Sequence, residues 1–331
     1  MNTFPALHRP IFLPLSGYSE QSVGAYLTTP ESTHIQIGAG QLGGEIAFMP
    51  LHHGSLRLVH FTLDMRFAAT TPDDQINFVY SVSVPTETRF CGVPVKQGSM
   101  LAIDQGTYTD SRLGAGVTWI GFRFPRSDLV RTWQGLTERE MPWDQGVMRS
   151  LPANDTGLVL SDTLAEIQTI ARQHPMLFDR PVWRRNVEAA LRETYARAFL
   201  SETDTTAADR APLRASYIVR KVDTYLETSD ELSLTVSDLC RTLGIHRRTM
   251  ERAFADMIGI GPKSYLQLRA LTKVRDALLD PQQLAAPITS LAMQFGFWHL
   301  GRFSHFYRSL FGEAPSETRR RTFAYLGRSA R

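Results

Sequence analysis

The sequence predicts an α+β chain, with a β-rich N-terminal half and an all-helical C-terminal third. Three observations predict it. Apolar residues alternate with period two between about residues 34 and 125, they recur at helical spacing from residue 157 onward, and two helix–glycine–helix patterns stand near the C-terminus. A length of 331 residues suits two domains, and 43% apolar content is enough for packed cores.

The strands come first. Residues 57–67 (RLVHFTLDMRF) alternate without a break: Val59, Phe61, Leu63, Met65 and Phe67 share one face, and Leu58, His60, Thr62, Asp64 and Arg66 share the other. This is the signature of one half-buried strand. Residues 76–84 alternate as well, grouping Ile76, Phe78, Tyr80, Val82 and Val84. Shorter candidates cover 44–51, 88–95, 99–104 and 116–124, punctuated by Gly and Pro at the spacing of an antiparallel sandwich or barrel.

The period then changes. Residues 157–173 and 181–200 carry apolar side chains every three or four positions, with Pro175 and Pro181 between them, which predicts an antiparallel helix pair. Residues 201–212 are small and polar without periodicity and read as a linker. The division expected is therefore a β-rich domain at 1–150, a helical region at 151–200, the linker, and an all-α domain at 213–331.

Composition narrows the function classes. The net charge is only +3, but residues 211–331 hold 18 Lys and Arg against 11 Asp and Glu, a net +7, which leaves −4 for residues 1–210. A basic third on a mildly acidic body suits a polyanionic partner for that third. The two cysteines, Cys91 and Cys240, have neither zinc-site nor disulfide-framework spacing. No stretch approaches ~18 consecutive apolar residues, and Pro5, Pro10 and Pro14 interrupt a start that lacks a basic-then-apolar signal. A cytoplasmic protein without membrane spans is expected.

The two C-terminal patterns carry the chemistry. The first, residues 234–254 (LTVSDLCRTLGIHRRTMERAF), sets Val236, Leu239, Leu243, Met250 and Phe254 as a small core around Gly244, whose freedom at positive φ suits a tight turn. Its second helix turns Arg247, Arg248, Glu251 and Arg252 outward. Arginine in a major groove can grip guanine O6 and N7 with both arms, and Glu251 can accept from cytosine N4. The second pattern, residues 288–307 (ITSLAMQFGFWHLGRFSHFY), repeats the design around Gly296. Its outward face offers Gly301, Arg302, His305, Arg308 and Ser309. His299 lies at the helix start, where free N–H groups can meet a phosphate. One helix over 263–279 joins the units; 17 residues span about 26 Å, of the order of the ~34 Å repeat of DNA. Both recognition helices can then enter successive major-groove turns, with salt-sensitive affinity.

Over residues 213–321 the chain resembles the AraC/XylS family of transcription regulators. The resemblance is carried by residues 259–262 (GIGP), Tyr265-Leu266, Gly296-Phe297, Phe303-Ser304 and residues 311–319 (FGEAPSETR). Residues 296–304 (GFWHLGRFS) look like the subgroup of ethanolamine-operon regulators. The resemblance implies base-facing roles for Arg248, Glu251, Arg252, Arg302 and His305, with Gly301 where other members carry a polar reader. His246 stands where the family has a serine, a better helix cap. The resemblance also implies a cupin-like effector domain in the N-terminal half, a homodimer formed through the helices after it, contact with RNA polymerase, and activation rather than repression.

Within the N-terminal half, an inward aromatic face would line an effector pocket with Phe61, Met65, Phe78, Tyr80 and Trp119. Arg66 and Arg123 are the candidate partners of an anionic effector, or simply solvated. No metal and no cofactor are expected: His34, His52, His53 and His60 include no His-x-His, and His52 and His53, read as strand neighbours, point to opposite faces. No nucleophile–base or phosphate-loop pattern appears. The expected function is an effector-controlled, sequence-specific regulator that binds double-stranded DNA. Two alternatives stay open: a cupin-type enzyme with an attached DNA-binding domain, and an architectural DNA binder without effector.

Overall fold

A computed structural model describes residues 8–19, 32–143, 148–153, 155–200, 206–207, 210–229, 231 and 233–329. Two antiparallel sheets face each other in the N-terminal half. With β1 (Ile11–Ser16) at one edge, the larger runs in the order β1-β3-β4-β11-β6-β9-β12-β13, and with β8 (Val93–Val95) at one edge, the smaller runs β2-β5-β10-β7-β8. The strands that matter below are β3 (Gly43–Pro50), β4 (Ser55–Phe61), β6 (Gln75–Ser83), β9 (Met100–Ile103), β11 (Thr118–Pro125) and β12 (Met148–Leu151) in the large sheet. In the small sheet they are β2 (Thr33–Gln36), β5 (Met65–Thr70), β7 (Thr88–Phe90) and β10 (Tyr108–Leu113).

The alternating run 57–67 is not one strand. It crosses from β4 in the large sheet to β5 in the small one, turning at Thr62–Asp64. The turn is tied down by Asp64, whose backbone oxygen accepts from the N–H groups of Ile37 and Gly38 and whose carboxylate accepts from Ala115 N. Alternation survives the crossing because both strands point the same parity into one core: Val59 and Phe61 from one sheet, Met65 and Phe67 from the other.

The large sheet is buried on both faces. Ile76, Phe78 and Tyr80 of β6 and Ile120, Phe122 and Phe124 of β11 lie on its outer face. Three helices cover that face: α1 (Arg126–Thr137), α2 (Asp155–Gln173) and α3 (Pro181–Leu200). Leu160, Leu164 and Ile167 of α2 and Leu191, Tyr195 and Phe199 of α3 supply the contact. Phe78 stacks on Tyr195 with ring centres 4.6 Å apart. Among the described residues no helix is long and apolar enough to cross a membrane.

Of residues 201–212, expected to be linker, 206–207 form β13 beside β12 and 210–212 open the helix α4 (Arg210–Thr228). The remainder lies outside the described residues. After α4 come α5 (Val236–Leu243), α6 (Arg247–Ile258), α7 (Pro262–Leu279), α8 (Ile288–Gln294), α9 (Leu300–Phe311) and α10 (Pro315–Ser329). The connecting helix starts at Pro262, whose fixed φ and missing N–H suit a first helical position. The helical part rests on the small sheet, and its apolar core is continuous with the core between the sheets.

Candidate nucleic-acid interface and effector cavity

The first helix-turn-helix unit is α5 and α6. Thr235 and Asp238 cap α5 reciprocally: Asp238 N donates to Thr235 Oγ1, and Thr235 N donates to the Asp238 carboxylate. Gly244 ends α5 at φ +63°. His246 precedes α6 and makes no side-chain cap, in keeping with imidazole's weakness there. Met250, Ala253, Phe254, Met257 and Ile258 seal α6 onto the core. The opposite face exposes Arg247, Arg248, Glu251 and Arg252.

The second unit is α8 and α9, turned at Gly296 with φ +88°. Phe303, Tyr307, Leu310 and Phe311 are buried, whereas His299, Gly301, Arg302, His305 and Arg308 are exposed. His299 is the residue before α9 and makes no side-chain cap. Eight of the nine expected contact residues thus stand on the outward faces of two helices, and the ninth, His299, stands exposed just before the second. Pairing along the helix already engages some of them. Arg247 Nε donates to Glu251 Oε1 at 2.9 Å, and Arg252 lies 3.7 Å from Asp256. These are exposed i,i+4 pairs, weak enough to exchange for phosphate or a base. Three exposed apolar side chains on the second unit, Met293, Trp298 and Phe306, escaped the sequence reading. Neighbouring core residues in the same aromatic-rich run hide them.

The N-terminal half grips the helical part from the other side. Arg66 of β5 is fully buried between Asp110 of β10 and Asp223 of α4, at 2.6 and 2.5 Å. Its Nη1 also donates to Tyr265 Oη of α7 at 2.6 Å. Burial alone would lower the Arg66 pKa, but the two carboxylates outweigh it and hold the guanidinium well above its ordinary range. Arg112 lies over Gly259, where a side chain of any other residue would collide with the guanidinium and where φ is +75°. At the second unit, Gln36 Nε2 and Gly40 N donate to Leu310 O, and Arg275 Nε of α7 donates to Tyr18 O. Arg275 is also paired with Glu313 at 2.8 Å.

The expected pocket residues divide. Phe61, Met65 and Trp119 face the space between the sheets, but Phe78 and Tyr80 are on the outer face of β6 against α3 and leave the pocket set. Period two cannot say which face is which when both are buried. Arg66 is neither solvated nor open to an effector, being enclosed by its two aspartates. Arg123 does line an enclosed cavity between the sheets, with Arg57, Phe67, Val79, Phe90 and Trp119 among its other walls. Arg57 was missed, although it shares the parity of Val59 and Phe61.

Two histidine readings change as well. His52 and His53 lie in the β3–β4 turn rather than on a strand, with rings stacked at 4.1 Å. His53 approaches Asp128 and Glu188 as metal-ligating types do. Their carboxylates are already occupied: Glu188 accepts from the backbone N–H groups of His53 and Gly54, and Arg131 and Arg192 pair with Asp128. His34 is buried beside Phe67, and burial pushes its pKa down to about 3.

Comparison with known proteins places the C-terminal region. Residues 239–321 match the model of the helix-turn-helix domain. The XylDLEGF operon transcriptional activator of Pseudomonas putida is 35% identical over 100 residues, 30% of this chain and 31% of the relative. A probable thc operon regulatory protein of Rhodococcus erythropolis is 34% identical over 100 residues, 30% of each chain. The shared stretch is therefore under a third of the length of these relatives. Among solved structures, the AraC-like transcriptional activator CuxR aligns over 86% of this chain and 98% of its own at 14% identity, with a TM-score of 0.43. ToxT of Vibrio cholerae with a bound unsaturated fatty acid aligns over 80% of this chain and 94% of its own at 11% identity, with a TM-score of 0.30. Residues 239–321 are thus a helix-turn-helix domain, in a stretch homologous to part of these operon regulators.

Proposed function

We propose that the protein is a sequence-specific transcription regulator whose N-terminal half senses a small molecule. One observation carries the reading: two helix-turn-helix units, joined by the 18-residue helix α7, present exposed arginine-bearing faces on their second helices. At ~1.5 Å per residue α7 is about 27 Å long, suited to successive turns of one major groove.

The buried Arg66 network suggests how a ligand acts. Arg66 and Asp110 face the helical part, while their chain neighbours Phe67 and Thr109 face the cavity. A ligand that displaces Phe67 strains the same strands that grip Asp223 and Tyr265. The effector would then shift the docking of the first unit relative to the second, and with it the fit to DNA. Activation is favoured because the P. putida relative is an activator by name. Homodimer formation through α2 and α3 is supported by exposed Leu158, Val159, Met176 and Val182 along that helical layer. RNA polymerase is the expected protein partner, and the kinship with ethanolamine-operon regulators rests on residues 296–304.

The test is capture of genomic DNA by the purified full chain, followed by sequencing. A shared motif upstream of an operon supports a specific regulator. Retention without a motif would leave an architectural binder, and no retention at moderate salt with or without cell extract metabolites would sink the reading.

A further inference from the structure

We infer that Trp298 is a specificity-determining residue: its ring seats against the 5-methyl group of a thymine and gives the second helix-turn-helix unit a base preference that its arginines lack. The inference rests on the reading of the chain as a DNA-binding regulator and adds a reader to that same surface.

The turn of the second unit aims the ring outward. Gly296 holds φ +88°, and a Cβ there would stand 3.0 Å from Ser233, so the turn is closed on that side. Phe297 then faces inward, its ring centre 5.2 Å from that of the buried Phe303. Trp298 follows on the outside, two residues before α9 begins at Leu300. At 70% exposure it is the most exposed large apolar side chain among the described residues.

Charge says what covers it. No Asp or Glu occurs from residue 281 to residue 312, whereas His299, Arg302, His305 and Arg308 are all exposed. Such a surround draws a polyanion and disfavours a basic partner. A recognition helix meets base edges with its N-terminal residues, and that is the end of α9 that Trp298 precedes. The ring is therefore continuous with the reading face.

Chemistry then picks the base. Indole offers a single N–H and a broad apolar surface. In the major groove thymine alone presents a methyl group, and apolar side chains recognise it by contact. Gly301 opens the approach. A Cβ there would meet no protein atom within 4 Å, so packing does not demand glycine, which is a poor helix former. The bare backbone lets base edges come close to the start of α9. Ordering a tryptophan fixes only two side-chain torsions, so the contact costs little entropy.

The test titrates the full chain, by fluorescence anisotropy, with a duplex that it selects from a random library. Copies of that duplex replace each thymine in turn by deoxyuridine, which lacks only the methyl group. One replacement should weaken binding about threefold to fivefold, the effect of one buried methyl. Trp298→Ala should bind the thymine duplex about tenfold more weakly than the parent chain and should not distinguish it from that deoxyuridine copy. Trp298→Phe should keep part of the discrimination. Circular dichroism establishes that each variant folds, and the deoxyuridine series on the parent chain needs no variant. The inference is overturned if the parent chain ignores every replacement or if Trp298→Ala binds as tightly as the parent. It is overturned too if Trp298→Ala binds more weakly but still discriminates, since another residue then reads the methyl group. Selection of no sequence at all from the library removes the regulator reading and this inference with it. A selected sequence without thymine dependence removes the role of Trp298 alone.

Discussion

Arg66 and the Arg57–Arg123 pair lie on the two facing sheets and have different surroundings. Arg66 is enclosed by two aspartates and a tyrosine drawn from three elements, two of them in the helical part. Arg57 and Arg123 line the same cavity on the inner face of the large sheet, where no Asp or Glu stands among the described lining residues. Burying a charge is costly in both places. At Arg66 the protein supplies the counter-charge itself and gains a fixed interface. The difference marks Arg66 as a residue of the interface with the helical part rather than a partner for a ligand.

The largest effect should follow from breaking the neutralised site. Arg66→Met leaves Asp110 and Asp223 buried without a partner and should cost about 3–5 kcal/mol in chemical denaturation. Adding Asp110→Asn and Asp223→Asn should restore much of that loss. A single Arg66→Met as stable as the parent would mean the network contributes little.

Acid sharpens the comparison next. His34 is a buried base too, and unlike arginine it can shed its proton. Its folded pKa of about 3 lies below the unfolded value of 6.5. The stability tied to neutral His34 is therefore complete above pH 6.5 and is lost as pH falls toward 3, at up to about 1.4 kcal/mol per unit. His34→Gln should flatten that slope in urea melts run from pH 7 to pH 4. An identical slope in the variant would assign the acid loss to other groups.

The exposed arginines are the solvated reference. Arg302→Ala should lower affinity by roughly 1–3 kcal/mol and relax preference at one base pair if it reads guanine. A uniform loss over all sequences, seen in a binding-site selection, would make it a phosphate contact. The smallest effect is expected at the cavity. Arg123→Met should leave the unliganded protein as stable as before, or more stable by on the order of 1 kcal/mol, because it removes a buried charge beside a like one. A clear drop in the thermal midpoint would show that Arg123 has a structural role.

Much of this was legible in the sequence, for physical reasons that also explain the misses. The helix-turn-helix units were legible because a surface helix declares its buried face: Met250, Phe254, Phe303 and Tyr307 went in, and the arginines between them stayed out. The strands were legible as strands but not as faces. Phe78 and Phe61 alternate alike, yet helices cover one side of the large sheet and the small sheet covers the other. Arg66 read as an effector partner or a solvated residue because its partners Asp223 and Tyr265 are 157 and 199 residues away in the chain. Arg57 had the parity of the core, and only the expectation that arginines face water hid it.

The most direct measurement is a hydroxyl-radical footprint of the full chain on a captured DNA fragment. Two recognition helices held by α7 predict two protected patches on one face of the duplex, one helical turn apart, about 10 base pairs between centres. A single patch, or protection wrapped around both faces, would contradict reading by both units at once.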